Sequence, residues 1–476
     1  MGDYLEMPQD FTKQVHQALR TWHIRRADDV LSDLLLVQQT KSAQIAAIPC
    51  LIGNQVLLDG LEWLKQINIE GSNLLQRRFL NQETALEIAH CCNLSEDVIF
   101  QRQRVAIAQL AELIWQKEQA LRQKRINQIE TRFKPQTHSQ LFGISPKLSQ
   151  LRAKFQTCAA PWFIALEGLG GIGKTALAQA LIRDLTLSGT FIDIGWVSAK
   201  QQDFLPCIGL QPSLKPALDI NTFANTFAHS LLEQFGFTIP ASALLPEKMA
   251  VLIDLLKTSP YLIVIDNLEK VIDYEAWLAT LCRLANPSQF LLTSRHSLRA
   301  HPDVFCYPLQ ELSEANTLAL LKYEAQVRGI LPLANATQHQ LEEIYRVVGG
   351  NPLALKLVVG QMAVLPLSQV LENLKKAQGK KIDNLYTYVY GQAWRELDEI
   401  SREVLLAMPL VQNGDLAQLS AVTNLEMALL NDALENLVNL SLIEVAGSNL
   451  SNHRYRIHRL TETFMLTEVT KWQRRS

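Results

Sequence analysis

The sequence lacks the features of secreted, membrane-spanning or strongly basic proteins. Its 7 cysteines are an odd number without metal-site spacing, so they predict no disulfide framework and fit a reducing cytoplasm. No run approaches about 18 uncharged apolar residues, and the acidic N-terminus has no apolar signal region. The 45 basic and 47 acidic residues leave a net charge of -2, unlike a polycation built for nucleic acid. We therefore expect a soluble, cytoplasmic protein without a membrane partner.

The most informative stretch is Pro161–Ala180, which joins an apolar strand pattern, a glycine-rich turn and the start of a helix. Backbone N–H groups can wrap a polyphosphate only where no Cβ atoms intervene, and the glycines allow that approach. Lys174 would place a cation on the phosphates, and the Thr175 hydroxyl would ligate Mg²⁺. The pattern GxxxxGK[ST] predicts a phosphate-binding loop (P-loop) formed by Gly168, Gly170, Gly171, Ile172, Gly173, Lys174, Thr175 and Ala176.

A second apolar run, Tyr261–Asp266, ends in a carboxylate, as a buried parallel strand does at its C-terminal edge. It follows the P-loop at the usual interval for a Walker B strand. Because Mg²⁺ keeps several waters and takes one or two carboxylates, Asp266 is predicted to hold the hydrated ion. A third apolar run, Gln289–Arg295, ends in a polar tip.

These motifs resemble the NB-ARC domain, a nucleotide-binding module of the STAND class of P-loop NTPases. The resemblance implies that Phe142 caps the adenine of a bound nucleotide and that Pro352 packs on it. It implies that Arg295 senses the γ-phosphate of ATP, and that His458 reaches the β-phosphate of ADP.

The resemblance also bears on hydrolysis. Family members often carry a second acid directly after the Walker B aspartate, where this chain has Asn267. The nearest acid is Glu269, so we expect at most a slow Mg²⁺-dependent ATPase that waits for a rearrangement to bring Glu269 in. Lys174, Asp266, Glu269 and Arg295 are the candidate catalytic residues.

Together, the patterns and the resemblance predict a multidomain α and α/β protein. An all-helical domain is expected over residues 1–135, followed by a P-loop domain with a parallel sheet over 140–310. A helical domain over 311–384 and a C-terminal winged helix over 385–476 complete the prediction. The segment Gln201–Pro216, which contains three prolines, is predicted to be a loop.

Within the N-terminal domain, residues 72–113 resemble the helix-turn-helix of region 4 of bacterial sigma factors. Thr84–Cys92 would be the supporting helix and Ser95–Leu110 the recognition helix, with Leu86 among the apolar positions between them. The acidic pair at 96–97 would repel phosphate, so a protein-interaction role stays open beside DNA binding. Residues 101–135, with eight basic and three acidic side chains, could be a phosphate-facing surface or a solvated helix face.

The resemblance implies a switch between ADP and ATP states that controls exposure of the N-terminal domain or self-assembly in bacterial signalling or defence. A homo-oligomer on activation and a protein effector or sensor are the expected partners. The alternative is a nucleotide-gated transcription regulator that binds DNA through the helix-turn-helix. No sensor repeats follow His458 before Ser476, so we expect the trigger to act through the N-terminal domain, the nucleotide module or a separate partner.

Overall fold

The computed structural model describes most of the chain, and its contacts divide the chain into two compact units. The first unit comprises Met1–Lys134 with Arg183–Ile192, and the second comprises Pro135–Ile182 with Asp193–Ser476. The described residues are 7–24, 30–32, 34–37, 49–133, 140–156, 159–188, 190–199, 202–205, 209–212, 220–238, 240, 243–271, 274–375, 380–411, 413–446 and 453–467.

The first unit is built from helices whose apolar faces form a main core and a smaller cluster around the fourth helix. Phe11 and Ile114 are among the buried members of the main core. The buried carboxylate of Glu118 accepts hydrogen bonds from the backbone N–H groups of Leu35 and Leu36, both at 3.0 Å. The helices are α1 (Phe11–Arg20), α2 (Pro49–Ile67), α3 (Ile69–Leu75, followed by the π-helical turn Gln76–Leu80), α4 (Ala85–Cys92) and α5 (Glu96–Glu130).

Helices α4 and α5 occupy the predicted helix-turn-helix segment. Thr84 and Glu87 form a capping box at the start of α4, and Asn93 ends the helix in the left-handed conformation with φ 52°. Helix α5 continues well beyond the predicted end at Leu110. The prediction that Leu86 packs between the helices is wrong, since this side chain is 55% exposed. Ala85 takes the inner position instead, and the sigma-like assignment stays a prediction.

The second unit contains a five-stranded parallel sheet, which confirms the predicted sheet of a P-loop domain. Its strands lie in the order β2-β5-β6-β1-β7. All five strands present their carboxyl ends to one edge. The strands are β1 (Phe163–Glu167), β2 (Ile194–Ser198), β5 (Leu262–Asp266), β6 (Gln289–Ser294) and β7 (Val304–Pro308).

The segment predicted as a loop after β2 contains an antiparallel hairpin. Strand β3 spans Gln202–Leu205 and β4 spans Gly209–Pro212. The prolines suggested a loop, but Pro212 closes the end of the ladder, where a missing N–H interrupts no interior hydrogen bond. The loop prediction is therefore wrong for these eight residues.

Helices cover the sheet and form a second, C-terminal core. In that core the buried Tyr390 hydroxyl lies 3.0 Å from Thr461 Oγ1. The helices are α6 (Ser145–Phe155), α7 (Lys174–Thr186), α8 (Ile220–Gln234), α9 (Leu245–Thr258), α10 (Tyr274–Cys282), α11 (Glu314–Val327), α12 (Leu331–Ala334), α13 (Gln338–Val348), α14 (Pro352–Met362), α15 (Leu367–Lys375), α16 (Lys380–Glu396), α17 (Glu399–Val411), α18 (Leu416–Thr423), α19 (Met427–Asn439) and α20 (Arg459–Thr467).

An antiparallel pair, β8 (Ile443–Ala446) and β9 (Arg454–Ile457), follows α19. The predicted winged-helix region, 385–476, therefore contains both helices and a strand pair, and the winged-helix assignment itself stays a prediction. In the described part of the chain, none of the helices combines the length and apolar character needed to span a bilayer.

We expect Phe290→Ala to destabilise the sheet strongly. The Phe290 side chain is 0% exposed and stacks on Phe163 with ring centroids 4.9 Å apart. Removing a buried phenyl ring costs about 3–5 kcal/mol through lost burial and the cavity left behind. Denaturant unfolding followed by tryptophan fluorescence measures the loss. Phe237→Ala, at a residue that is 40% exposed, is the matched control and should change stability by about 0.5 kcal/mol or less.

Candidate functional site

The turn between β1 and α7 has the backbone shape of a P-loop. Gly171 and Gly173 adopt φ values of +80° and +107°, which side-chain-bearing residues rarely reach. A Cβ on Gly173 would meet nothing within 4 Å, so glycine is needed at this position for its backbone conformation and not for lack of space. A Cβ on Gly171 would come within 2.7 Å of Leu353 Cβ, so that glycine also allows a close approach by α14.

Lys174 is directed back onto this turn. Its ammonium donates hydrogen bonds to the carbonyl oxygens of Gly168 at 2.5 Å and Leu169 at 3.1 Å. Burial lowers the pKa of Lys174 to about 8, although the charges of Glu269 and Asp266 act in the opposite direction. The cation of the predicted phosphate site is therefore buried and near its titration point at mildly alkaline pH.

Asp266 joins the neighbouring elements at the carboxyl edge of the sheet. Its Oδ1 atom accepts hydrogen bonds from the hydroxyls of Thr175 and Thr293, both at 2.7 Å. Its Oδ2 atom accepts from the Asn267 side-chain amide at 2.7 Å and from the Ser198 hydroxyl at 3.3 Å. A hydroxyl and a carboxylate oxygen in contact are hard oxygen ligands of the kind that Mg²⁺ prefers. Thr175 and Asp266 therefore fit the predicted metal role.

Glu269, in the short turn after Asp266, pairs with Arg295. Its carboxylate accepts from the Arg295 backbone N–H at 3.2 Å and lies 3.3 Å from Nε. Arg295 Nη1 also donates to the Val389 carbonyl in α16 at 3.4 Å. A Cβ on Gly170 would be 3.0 Å from Nη1, so the guanidinium lies against the P-loop. The structure thus brings the predicted sensor to the predicted site, with Glu269 engaged as its ion-pair partner.

The segment before α14 reaches the P-loop through Asn351. Its side-chain amide donates to the Gly170 carbonyl at 3.1 Å, while its Oδ1 caps α14 by accepting from the N–H groups of Leu353 and Ala354. Sequence reasoning assigned no role to Asn351, although an asparagine before a helix-starting proline is a recognisable N-cap signal. Pro352 follows directly, so its predicted adenine contact would lie beside the P-loop.

Phe142 lies away from these polar contacts. Its ring is tilted against Tyr323 of α11, with centroids 5.6 Å apart, and packs on the C-terminal helical core. Within the described ranges its ring contact is with Tyr323 and not with the P-loop, so its role as an adenine cap stays a prediction.

His458 lies between two carboxylates. Its Nδ1 atom is 3.4 Å from Glu311 Oε1 and 3.6 Å from Glu444 Oε1. Glu311 also accepts from the Gly350 backbone N–H at 3.1 Å, which links the histidine to the segment before Pro352. For the described residues, these carboxylates are its ion-pair partners, so a contact with a phosphate stays a prediction.

The two carboxylates set the titration of this histidine. Burial lowers the pKa of His458, but the hydrogen bond and charge of Glu311 with the charge of Glu444 outweigh it, so the pKa is raised overall. Burial likewise opposes ionisation of Glu311, yet the hydrogen bond and charge of His458 hold its pKa below the usual value. The pair is therefore most stable with both groups charged.

Residues 145–324 match the family model of the NB-ARC domain. The chain contains an NB-ARC domain. The match includes the P-loop, Asp266, Glu269 and Arg295, which the fold brings together. NB-ARC domains are P-loop NTPases, so the domain is a nucleotide-binding one. Phe142, Pro352 and His458 lie outside the matched range, and their roles stay predictions.

Two Arabidopsis thaliana proteins are similar to parts of the chain. The probable disease resistance protein At1g59620 is 26% identical over 214 residues, which cover 42% of this chain and 22% of that protein. The probable disease resistance RPP8-like protein 4 is 25% identical over 305 residues, which cover 60% of this chain and 30% of that protein. The matched segments thus span less than a third of either relative.

One solved structure, the Walker-type ATPase PABY2304 of Pyrococcus abyssi, is similar in fold. Its TM-score is 0.50 at 13% sequence identity, over 70% of this chain and 98% of that one. At this identity the similarity concerns the fold alone.

We expect the stabilisation contributed by His458 to fade as pH rises. Because its folded pKa is raised above 6.5, the contribution is fully present below the unfolded pKa and is lost as pH rises through the folded value. The melting-temperature difference between wild type and His458→Asn should therefore shrink above about pH 6.5. His90→Asn, at an exposed position, is the control and should show no such trend. A difference that does not change with pH would contradict the ion-pair assignment.

We also expect nucleotide binding to take up a proton near pH 8. Phosphate charges favour the ammonium form of Lys174, whose pKa is about 8 in the free chain. Calorimetry of ADP binding at that pH, in buffers of different ionisation enthalpy, should give an uptake of about half a proton. Lys174→Arg keeps the charge at all accessible pH values and should abolish the uptake wherever binding survives. Zero uptake by wild type would contradict the lowered pKa of Lys174.

Proposed function

We propose that this chain is a nucleotide-dependent switch that uses ADP and ATP with Mg²⁺ to control exposure of its N-terminal helices or its self-assembly. The observation that carries the proposal is the direct contact between the P-loop and the C-terminal helices. Asn351, at the start of α14, bonds to the Gly170 carbonyl. Arg295, which lies against Gly170, bonds to the Val389 carbonyl in α16. A change at the phosphate site therefore acts on helices that belong to the C-terminal core.

The proposed states differ in which residues hold the nucleotide. Lys174, Thr175, Pro352 and His458 would hold ADP, while Thr175 and Asp266 would hold Mg²⁺. ATP supplies one further phosphate, and Arg295 is the cation placed to respond to it. To do so, Arg295 must exchange its contacts with Glu269 and Val389, which gives the two states different interactions, as any switch requires.

Slow hydrolysis fits the arrangement around Asp266. Asn267 carries no base, and its amide donates to the Asp266 carboxylate. Glu269 is buried and paired with Arg295, so it must leave that ion pair before it can orient a water. A chain that hydrolyses ATP slowly holds each nucleotide state long enough for a partner to respond.

The similar proteins guide the proposed setting. The plant relatives bear the name of disease resistance proteins. We therefore propose a role in defence or signalling. The sigma-like segment favours a bacterial origin. The proposed partners are a second copy of the chain, which forms a homo-oligomer on activation, and a protein effector or sensor.

The contacts of α5 favour a protein-interaction role over the DNA-binding alternative. Arg102 pairs with Glu70 at 3.2 Å, and Arg122 pairs with the buried Glu118 at 2.7 Å. These cations are neutralised within their own unit, which weakens the phosphate attraction that DNA binding needs. A nucleotide-gated transcription regulator is therefore the second-ranked function.

We expect the purified full-length chain to retain ADP. Nucleotide released by denaturation and identified by chromatography should be ADP in wild type, absent in Lys174→Ala and reduced in His458→Ala. Turnover of added ATP should be far below about one per second, the low end of common enzyme rates.

Lys257→Ala is the matched control for the P-loop lysine. Lys257 also donates to a carbonyl oxygen, that of Ala285 at 2.5 Å, but it lies in α9. This variant should retain ADP. A wild-type chain that retains no nucleotide and binds none when ADP or ATP is added would overturn the switch.

A further inference from the structure

The turn Arg295–Leu298, which we term the sensor turn, is held by a buried carboxylate from β1. Glu167 is 3% exposed and is the last residue of β1, directly before Gly168 of the P-loop. Its Oε1 atom accepts from the Leu298 N–H at 2.5 Å, and its Oε2 atom accepts from the Ser297 hydroxyl at 3.1 Å. The entry to the P-loop and the sensor turn are therefore bonded to each other.

The same turn is bonded to the C-terminal helices. Besides the Arg295 contact with Val389, His296 Nε2 lies 3.0 Å from Glu396 Oε2 at the end of α16. The Ser297 backbone N–H donates to the carbonyl of Asn439, the last residue of α19, at 2.6 Å. Three consecutive residues of the turn thus reach two C-terminal helices.

A carboxylate at position 167 is unusual for its place in the sheet. The other residues of β1 are buried and apolar, and burying a charge costs free energy unless donors compensate it. The two donors of the sensor turn provide that compensation. The Cys306 thiol of β7 lies close enough that burial, with the hydrogen bond and charge of Glu167, raises the pKa of the thiol to about 12. Because packing alone would favour an apolar residue here, the carboxylate indicates that the turn needs these bonds.

We propose that Glu167 is a positioning residue of the switch: it fixes the sensor turn, and the sensor turn holds α16 and α19 to the edge of the nucleotide-binding sheet. The role of the turn in switching rests on the proposed function. Glu167 adjoins Gly168, so a displacement of the P-loop backbone reaches Ser297 through one side chain. Release of Arg295 from the Val389 carbonyl removes a bond between the sensor turn and α16. Nucleotide state then acts on α16 and α19 through this turn.

The test compares Glu167→Gln with wild type in the full chain. Glutamine keeps the size, and its oxygen can still accept from the Leu298 N–H, but its amide must donate to Ser297 Oγ instead of accepting from it, and the negative charge is lost. Because hydrogen bonds to a charged group are about twice as strong as neutral ones, loss of the charge changes an opening equilibrium by about tenfold. We expect amide hydrogen exchange at the ends of α16 and α19 to rise about tenfold, with release of a fluorescent ADP analogue faster by a similar factor. The association rate should be unchanged, because Lys174 and Thr175 are untouched.

Tyr307→Phe is the matched control. It removes a hydrogen bond between β7 and α6, from the Tyr307 hydroxyl to Gln150 at 3.0 Å, without touching the sensor turn. Its exchange in α16 and α19 and its ADP release should equal those of wild type. Where Glu167→Gln does not fold, Ser297→Ala removes one of the same bonds and should raise exchange in both helices. Glu396→Gln should raise exchange in α16 alone.

The outcomes separate this inference from the proposed function. The exchange measurement needs no nucleotide, so it tests the turn even where the chain binds neither ADP nor ATP. Exchange in α16 and α19 that stays within about twofold of wild type in Glu167→Gln and Ser297→Ala overturns the positioning role. Raised exchange with unchanged ADP release overturns the link between the turn and the nucleotide.

Discussion

The carboxylate of Asp266 is the interaction on which the nucleotide-binding edge of this protein depends. It is 3% exposed, and donors from β2, β6, the start of α7 and the residue after β5 converge on its two oxygens. A buried charge is tolerated only when such donors compensate it. Because each donor belongs to a different element, the same bonds that stabilise the carboxylate fix the P-loop helix against three strands. The hydrogen bonds that prepare Asp266 for its predicted role therefore also hold the strands and the P-loop helix in place at this edge of the sheet.

The sequence predicted those parts of the site that are formed by continuous stretches of the chain. The P-loop and the strand ending in Asp266 are continuous patterns, and the parallel sheet followed from them. The bond from Asn351 to Gly170 joins residues separated by 181 positions, and that from Ser297 to Glu167 spans 130. No periodicity encodes such pairs, so they emerge only when the chain is folded. The prediction for Leu86 was wrong because the residue at which the helix begins decides which of the two adjacent apolar residues, Ala85 or Leu86, faces inward.

Asn267 shows how one residue meets two demands. Its backbone is left-handed with φ 61°, a conformation that asparagine tolerates better than most residues. Its side-chain amide donates to Asp266 at 2.7 Å. An aspartate at this position would bring a second negative charge to the same oxygen and would be repelled. The family resemblance identified the residue as a missing acid, whereas the structure identifies it as a neutral side chain that donates a hydrogen bond to Asp266.

The bonds from Lys174 to the carbonyls of Gly168 and Leu169 have a consequence for ligand selection. Any ligand that draws the ammonium away must first replace two hydrogen bonds already made within the turn. A phosphate group, with its negative charge, compensates for that loss, but a nucleoside or free base offers the lysine nothing comparable. We therefore expect the P-loop of this chain to select by charge before it selects by base, and uncharged adenine compounds to be poor competitors regardless of how well their rings fit.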